Sequence, residues 1–309
     1  MNIVQFKGRS KIKVFGKQSK LLNPKLSNAG NDQTVFLNGI LTNDIKALEN
    51  GSFNYNLMLN EKGYPIDDFF VYRLDDSFIL DFEGDAQERV DRFSKLKLSL
   101  KVFFEVLELN HYYIFGNEAV EFLRERLNLE TPLDNFRFSS TENETVVGKN
   151  PIRIGVDGYD IFTKADLSEY VNFSEIEFES LRIKNCVPKI GKELKEGIIP
   201  LETNIWKYAI SFTKGCYTGQ EVIARIRYRG KPPRSMVKFK MSDYIPEGST
   251  IFSEDKKVGI ITSSDRDSLE SIGIVLNSYI NVDRIYNCGE KELKLMCQCR
   301  ELEIEKAEG

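Results

Sequence analysis

A single histidine in 309 residues is the most restrictive feature of this sequence. With His111 alone, an HExxH zinc site, a His-cluster metal centre and a multi-histidine relay are all excluded. A Ser-His-Asp or Cys-His arrangement would have to use His111. The stretch Asn110-His111-Tyr112-Tyr113 reads as the start of a strand, where a structural role is expected. Cysteine is scarce too. Cys186, Cys216, Cys288, Cys297 and Cys299 are odd in number and widely spaced, with no CxxC pair. Neither a disulfide framework nor a standard zinc site is expected from them. No run approaches the ~18 apolar residues of a membrane span. Met1 to Lys7 carry no apolar signal core, so a reducing cytoplasm is the expected location. A large excess of either charge is also missing: 43 Lys+Arg stand against 47 Asp+Glu, a net charge of −4. That balance gives no reason to expect a nucleic-acid partner, although a local basic patch can still hold an anion.

What remains is the composition of an ordinary globular protein, 41% hydrophobic and 29% charged, with length for two or three domains. The pattern predicts a short helix over 34–41 leading into Thr42-Asn43-Asp44. It then predicts strands Phe53 to Leu59 and Ile66 to Leu74 joined by the Gly- and Pro-bearing turn Asn60 to Pro65. Apolar residues at helical spacing predict helices over 85–97 and 118–127, and another is expected from Ser174 to Asn185. Strands and helices alternate irregularly, which points to an α+β fold. After Lys231-Pro232-Pro233, short β-type runs separated by turns read as a small antiparallel barrel. The expected units are therefore a body over 1–231 and a barrel over 234–309, with a charged, frayed end from Glu301 to Gly309.

Three segments could carry chemistry. Lys214-Gly215-Cys216-Tyr217-Thr218-Gly219-Gln220-Glu221 combines two glycines with a cysteine beside a lysine, a setting that lowers a thiol's pKa. Cys216 there is a nucleophile, a redox thiol or a soft metal ligand, or else a small residue in a turn. In Arg225-Ile226-Arg227-Tyr228-Arg229, a strand would place three guanidiniums on one face, fit for carboxylates or phosphates or simply a solvated edge. Adjacent Asp67 and Asp68 fall on opposite faces of their strand. One of them is expected to cap the turn or face solvent; the other, buried beside aromatics, would need a hydrogen-bonding partner and suits a nitrogen-rich ligand.

The segment Lys214 to Glu221 resembles the KGCYTGQE signature of the YgfZ-like folate-binding proteins, paralogues of the glycine cleavage T-protein, an aminomethyltransferase. The resemblance extends through Phe36-Leu37-Asn38-Gly39-Ile40-Leu41-Thr42-Asn43-Asp44, Asn60-Glu61-Lys62-Gly63-Tyr64-Pro65-Ile66-Asp67-Asp68, Gly158-Tyr159-Asp160-Ile161, Ile199-Pro200-Leu201-Glu202 and Val258-Gly259-Ile260-Ile261-Thr262-Ser263. It implies a T-protein-like, tetrahydrofolate-binding body of two interleaved α+β units around a central cleft, followed by an antiparallel β-barrel. Asp68 takes the position that assists methylene transfer near folate N5, and Tyr55 that of a pterin-lining aromatic. Lys214, Tyr217 and Arg227 are the further residues expected at the cofactor, Arg227 on its anionic glutamate tail. The segment Arg182-Ile183-Lys184-Asn185-Cys186 departs from the family's R-[LI]-E-A-G, because Lys184 replaces the Glu that reads the pterin edge. Asp81 stands at a pocket Asn position and could supply an acid instead.

Two activities are implied. One is a folate-dependent accessory role in assembling or repairing iron–sulfur proteins, with Cys216 as working residue and iron–sulfur client or assembly proteins as partners. In that reading the chain carries no metal or cluster of its own. The other is aminomethyl or methyl transfer to folate with Asp68 as acid/base. A folate-binding module without chemistry is the third alternative, and a monomer is expected.

Overall fold

Strands β1 (Asn2–Phe6) and β2 (Arg9–Gly16) are neighbours in sequence yet enter different sheets. This exchange interleaves two α+β units. The computed structural model describes residues 1–16, 31–129, 133–141 and 144–302; of the frayed end expected over 301–309, residues 303–309 lie outside them, and Leu302 is buried. In the first unit, β2 lies between β5 (Ser77–Glu83) and β6 (Val102–Leu107), completing an antiparallel sheet with β3 (Phe53–Leu59) and β4 (Pro65–Arg73) in the order β3-β4-β5-β2-β6. In the second, β1 borders β7 (Asn110–Phe115), followed by β10 (Gly158–Thr163), β9 (Val146–Lys149) and β8 (Phe138–Ser140).

The β3–β4 hairpin is buried on both faces, so its strands carry apolar side chains on both. Phe69 and Val71 pack with Phe36 and Leu37 of helix α1 (Asp32–Ile40) and Phe93 of α2 (Ala86–Leu96). Phe70, Tyr72, Phe53 and Tyr55 face the other way, into the core shared with Phe138, Val146 and Phe162 of the second sheet. Helix α3 (Ala119–Leu127) covers the outer face of that sheet through Phe122 and Leu123. Helix α4 (Glu175–Lys184) begins in a reciprocal cap between Ser174 and Glu177, which satisfies two otherwise unpaired N–H groups. It packs between β1 and the barrel.

A short helix α5 (Trp206–Ala209) and α6 (Gln220–Arg229) lead to six strands: β11 (Arg234–Met241), β12 (Thr250–Ser253), β13 (Lys256–Ser264), β14 (Glu270–Leu276), β15 (Tyr286–Cys288) and β16 (Lys291–Gln298). They close in the order β11-β14-β13-β12-β15-β16. Closure leaves no free sheet edge, and Val237, Phe239, Ile261 and Leu295 fill the interior.

Two sequence expectations are corrected here. Arg225, Arg227 and Arg229 lie on helix α6, not a strand. Alternation over five residues fits either period, and the buried Ile223 with the half-buried Ile226 supplies the i, i+3 spacing of a helix. Arg225 and Arg229, four residues apart, therefore share one face of the helix, and Arg227 lies on nearly the opposite one. And neither Asp67 nor Asp68 reaches solvent, at 3% and 8% exposure.

The two sheets are stitched by buried charges. Arg9 and Arg153 each donate to Asp81 (2.8 and 2.7 Å), Lys11 lies 3.3 Å from it, and Arg153 donates also to Asp160 (2.9 Å). His111, fully enclosed, holds Asp160 through Nε2 at 2.9 Å. Tyr72 and Asn150 complete the Asp160 shell. Burial, helped by Lys11, pushes the His111 imidazole down to about 3 against the pull of Asp81 and Asp160. The unfolded chain thus takes a proton below pH 6.5 that the native ring refuses until about pH 3, so this group withdraws stability as pH falls through that window. Between pH 7 and 5 the loss from His111 is about 2 kcal/mol. Asp67, pushed up by burial to about 7 in spite of Arg89, acts in the opposite sense. The informative quantity is therefore a difference. In urea unfolding, His111→Gln is expected to lack that component of the pH dependence seen in the wild type; parallel curves would refute the assignment.

Candidate functional site

Where the two sheets meet α4, a cleft opens that is lined from both units: Phe6, Arg9, Tyr55, Asp68 and Phe70 from strands, Arg153 from the β9–β10 loop, and Phe178, Glu179 and Arg182 from α4. Its cavity volume is about 120 Å³, less than the roughly 300–1,000 Å³ of drug-sized ligand sites, so a larger ligand extends out through its open mouth. Its wall is aromatic and its floor is charged.

Asp68 is the distinctive group. Its Oδ2 accepts a hydrogen bond from the Tyr55 hydroxyl at 2.8 Å, which the hairpin makes inevitable: Tyr55 pairs with Phe70, two residues on, and both side chains fall on the cleft face. Its Oδ1 is buried and has no hydrogen-bond partner among the described residues. Burial raises the Asp68 pKa, opposed by Arg9 and the Tyr55 hydrogen bond. A carboxyl with one oxygen held and the other free, lining a cleft, can accept from or share a proton with a ligand's N–H. Asp67 does something different. It turns to the α2 side and pairs with Arg89 at 2.6 Å.

A second cluster of sequence-marked residues lies away from this cleft. Lys214 Nζ donates to the carbonyls of Asn38, Leu41 and Asn43 at 2.7, 2.7 and 2.8 Å, tying the 214–221 loop to the end of α1. Thr42 and Asn43 bond onward to Leu57, Ala209, Tyr55 and Tyr208. Gly219 has φ +81°, and a Cβ there would meet the Asn60 carbonyl at 2.6 Å, so only glycine lets this loop close on the β3–β4 turn. Between these anchors Cys216 is held out to solvent.

A model of the GCVT N-terminal domain matches residues 23–171. An uncharacterised protein of Aquifex aeolicus is 46% identical over 143 residues, 46% of this chain and 94% of that protein. The chain carries a GCVT N-terminal domain. An aminomethyltransferase of Exiguobacterium sibiricum is 27% identical over 255 residues, covering 76% of this chain and 70% of the enzyme. The crystal structure of glycine cleavage system aminomethyltransferase T from Bartonella henselae superposes with a TM-score of 0.81 at 18% identity, over 98% of this chain and 86% of that one. At that identity the likeness is one of fold, and the fold is the T-protein-like α+β body with a C-terminal barrel.

Of the residues that the sequence singled out, this GCVT-domain chain brings only Tyr55 and Asp68 into the cleft lining. Asp81 lies beneath it, fully buried in the charge network, because β5 is central in its sheet and Arg9, Lys11 and Arg153 converge on that carboxylate. Lys184 is exposed at the end of α4, two positions from the inward Arg182 and so on nearly the opposite side of the helix. Lys214 and Tyr217 serve the loop's packing, the ammonium 5.1 Å from the tyrosine ring centroid. Arg227 lies 4.8 Å over Trp206, outside the cleft. Sequence reasoning missed Arg9, Arg153 and Arg182, whose places depend on long-range pairing. It also set aside the cysteines, although the structure gathers Cys186, Cys297 and Cys299. The available signal was the Cys297-x-Cys299 spacing on a strand.

Proposed function

We propose that this protein binds a reduced folate, tetrahydrofolate or a derivative, in the Asp68 cleft, and serves there as a one-carbon acceptor or carrier protein of the aminomethyltransferase type. The observation that carries the reading is the unpartnered, buried Asp68 Oδ1, beside an aromatic wall suited to a flat heterocycle. Tetrahydrofolate, when bound, supplies a nucleophilic ring nitrogen as the one-carbon carrier. The chain's own part is to orient the ring against Phe70 and Phe178, to hold or take a proton at Asp68, and to keep Tyr55 in register. Lys189, half-exposed in the cleft lining and 3.7 Å from Glu83, is a cation that a carboxylate tail can meet. Calorimetric titration of the full chain with tetrahydrofolate, under reducing conditions, tests this. One molecule bound per chain is expected; no binding, or binding equally good for an unrelated flat heterocycle, overturns it.

The pinned loop supports a second role for the same protein. Lys214 and Gly219 fix the two ends of a turn whose centre presents Cys216, an arrangement suited to a thiol that meets another macromolecule, such as an iron–sulfur client or assembly protein. In cells lacking this chain, aconitase activity is expected to fall, and to recover with the wild type but not with Cys216→Ala. Full recovery with Cys216→Ala removes this role and leaves the folate reading intact.

A further inference from the structure

The Sγ atoms of Cys186, Cys297 and Cys299 all lie within 4.8 Å of one another. They come from opposite ends of the architecture: Cys186 follows α4 in the body, while Cys297 lies near the end of the last barrel strand and Cys299 just beyond it. A strand bulge makes the meeting happen. Leu293 and Leu295 face the barrel interior, but the register of β11 against β16 shifts between Lys238 and Phe239. That shift reverses the alternation beyond Leu295, and Cys299 joins the cluster between α4 and the barrel, with Cys186. Cys186 itself sits at φ +55°, in the left-handed region that favours glycine. Beside the trio, Lys238 donates to the Lys184 carbonyl at 2.8 Å, placing a cation where three thiolates would gather negative charge.

We propose that Cys186, Cys297 and Cys299 form a binding site for one thiophilic metal ion, Zn²⁺ or Cu⁺, that staples the body to the barrel. The geometry suits a single ion. Three thiolates about 2.3 Å from a common centre stand roughly 3.8–4.0 Å apart, inside the observed limit. Cys186 and Cys299 are buried and Cys297 is exposed, so the ion has two enclosed ligands and an entry path, and in the case of zinc a solvent molecule or incoming ligand fills the fourth position. On binding, the thiol protons pass to solvent and no electron is transferred. Because α4 also carries Glu179 and Arg182 of the cleft, the ion fixes the end of a cleft-forming helix.

The test uses the full chain, reduced and stripped of metal, titrated anaerobically with zinc chloride or with a Cu⁺ donor against a chromophoric chelator. One ion per chain and a raised Tm are expected. Cys297→Ser is expected to lower affinity at least 10-fold, and Cys288→Ser to leave it unchanged. Cys297 is exposed, so the metal-free variant should melt with the metal-free wild type, which separates ligand loss from misfolding. Failure of the reduced chain to compete for either ion, or equal affinity in Cys297→Ser, overturns the site. So does a disulfide within the trio in freshly isolated protein whose reduced form takes up no metal. None of these outcomes bears on folate binding.

Discussion

Arg153→Met is expected to destabilise the fold by about 3–5 kcal/mol, the range found when one partner of a buried ion pair is removed. Arg153 donates one nitrogen to both Asp81 and Asp160, its Nε lies 2.6 Å from Asp160, and its guanidinium stacks 4.3 Å over Phe70. Without it Asp81 keeps Arg9 and Lys11. Asp160 keeps only neutral donors: His111, Tyr72 and Asn150. Burial alone raises Asp160, and Arg153 with the His111 hydrogen bond holds it at about 2. Removing the arginine therefore lifts that pKa, and the penalty is expected to be largest near neutrality and to shrink as pH falls. Urea unfolding of Arg153→Met at pH 7 and pH 5 measures both effects. The double variant Arg153→Met/Asp160→Asn should regain part of the loss, since the stranded charge is gone. A change below about 1 kcal/mol in the single variant would mean that water already reaches this network and relieves it.

Asp68→Asn is expected to weaken reduced-folate binding roughly 10- to 100-fold, the equivalent of one hydrogen bond involving a charged group at about 1.5–3 kcal/mol. The amide keeps the shape of the carboxyl and can still meet Tyr55, but it cannot accept on both oxygens or exchange a proton with the ligand. Tyr55→Phe should cost less, because it releases Oδ2 without removing the free Oδ1. Stability should move independently of binding. The folded Asp68 pKa is raised above its ordinary value, so at pH 7 its charged form costs the native state free energy that a neutral side chain does not. Asp68→Asn should therefore melt no lower than the wild type. Titration with tetrahydrofolate alongside thermal unfolding reads both. Unchanged affinity in Asp68→Asn sinks the assignment of Asp68, and reduced affinity with an equally reduced Tm would make the effect one of folding.

Local patterns carried much of this molecule. Period-two alternation placed Asp67 and Asp68 on opposite faces, and they do enter opposite cores, one beside Arg89 and the other beside Tyr55. The glycine and proline of Asn60 to Pro65 marked a hairpin that forms between β3 and β4. The helix expected from Ser174 to Asn185 forms as α4, with Ser174 and Glu177 capping its start. Such signals act over a few residues, where backbone sterics and side-chain periodicity decide the outcome before any distant contact exists.

What the tertiary structure alone decided depends on which strands become neighbours. Asp81 reads as a pocket acid in sequence, but the central place of β5 and the approach of Arg153 from the other unit bury it in an ionic core. The alternating arginines of α6 fit two periods equally well, and the packing of Ile223 against the body selected the helix. Lys184 turned outward because its neighbour Arg182 found Glu179, Glu193 and Ser263 within. The cysteines, spread along the chain and apparently unrelated, meet because one bulge re-aims the last barrel strand toward the end of α4. Buried charges and gathered thiols gain their energy only once separate elements have already docked. A sequence read locally therefore records the elements of this protein, and the order in which its sheets assemble decides its chemistry.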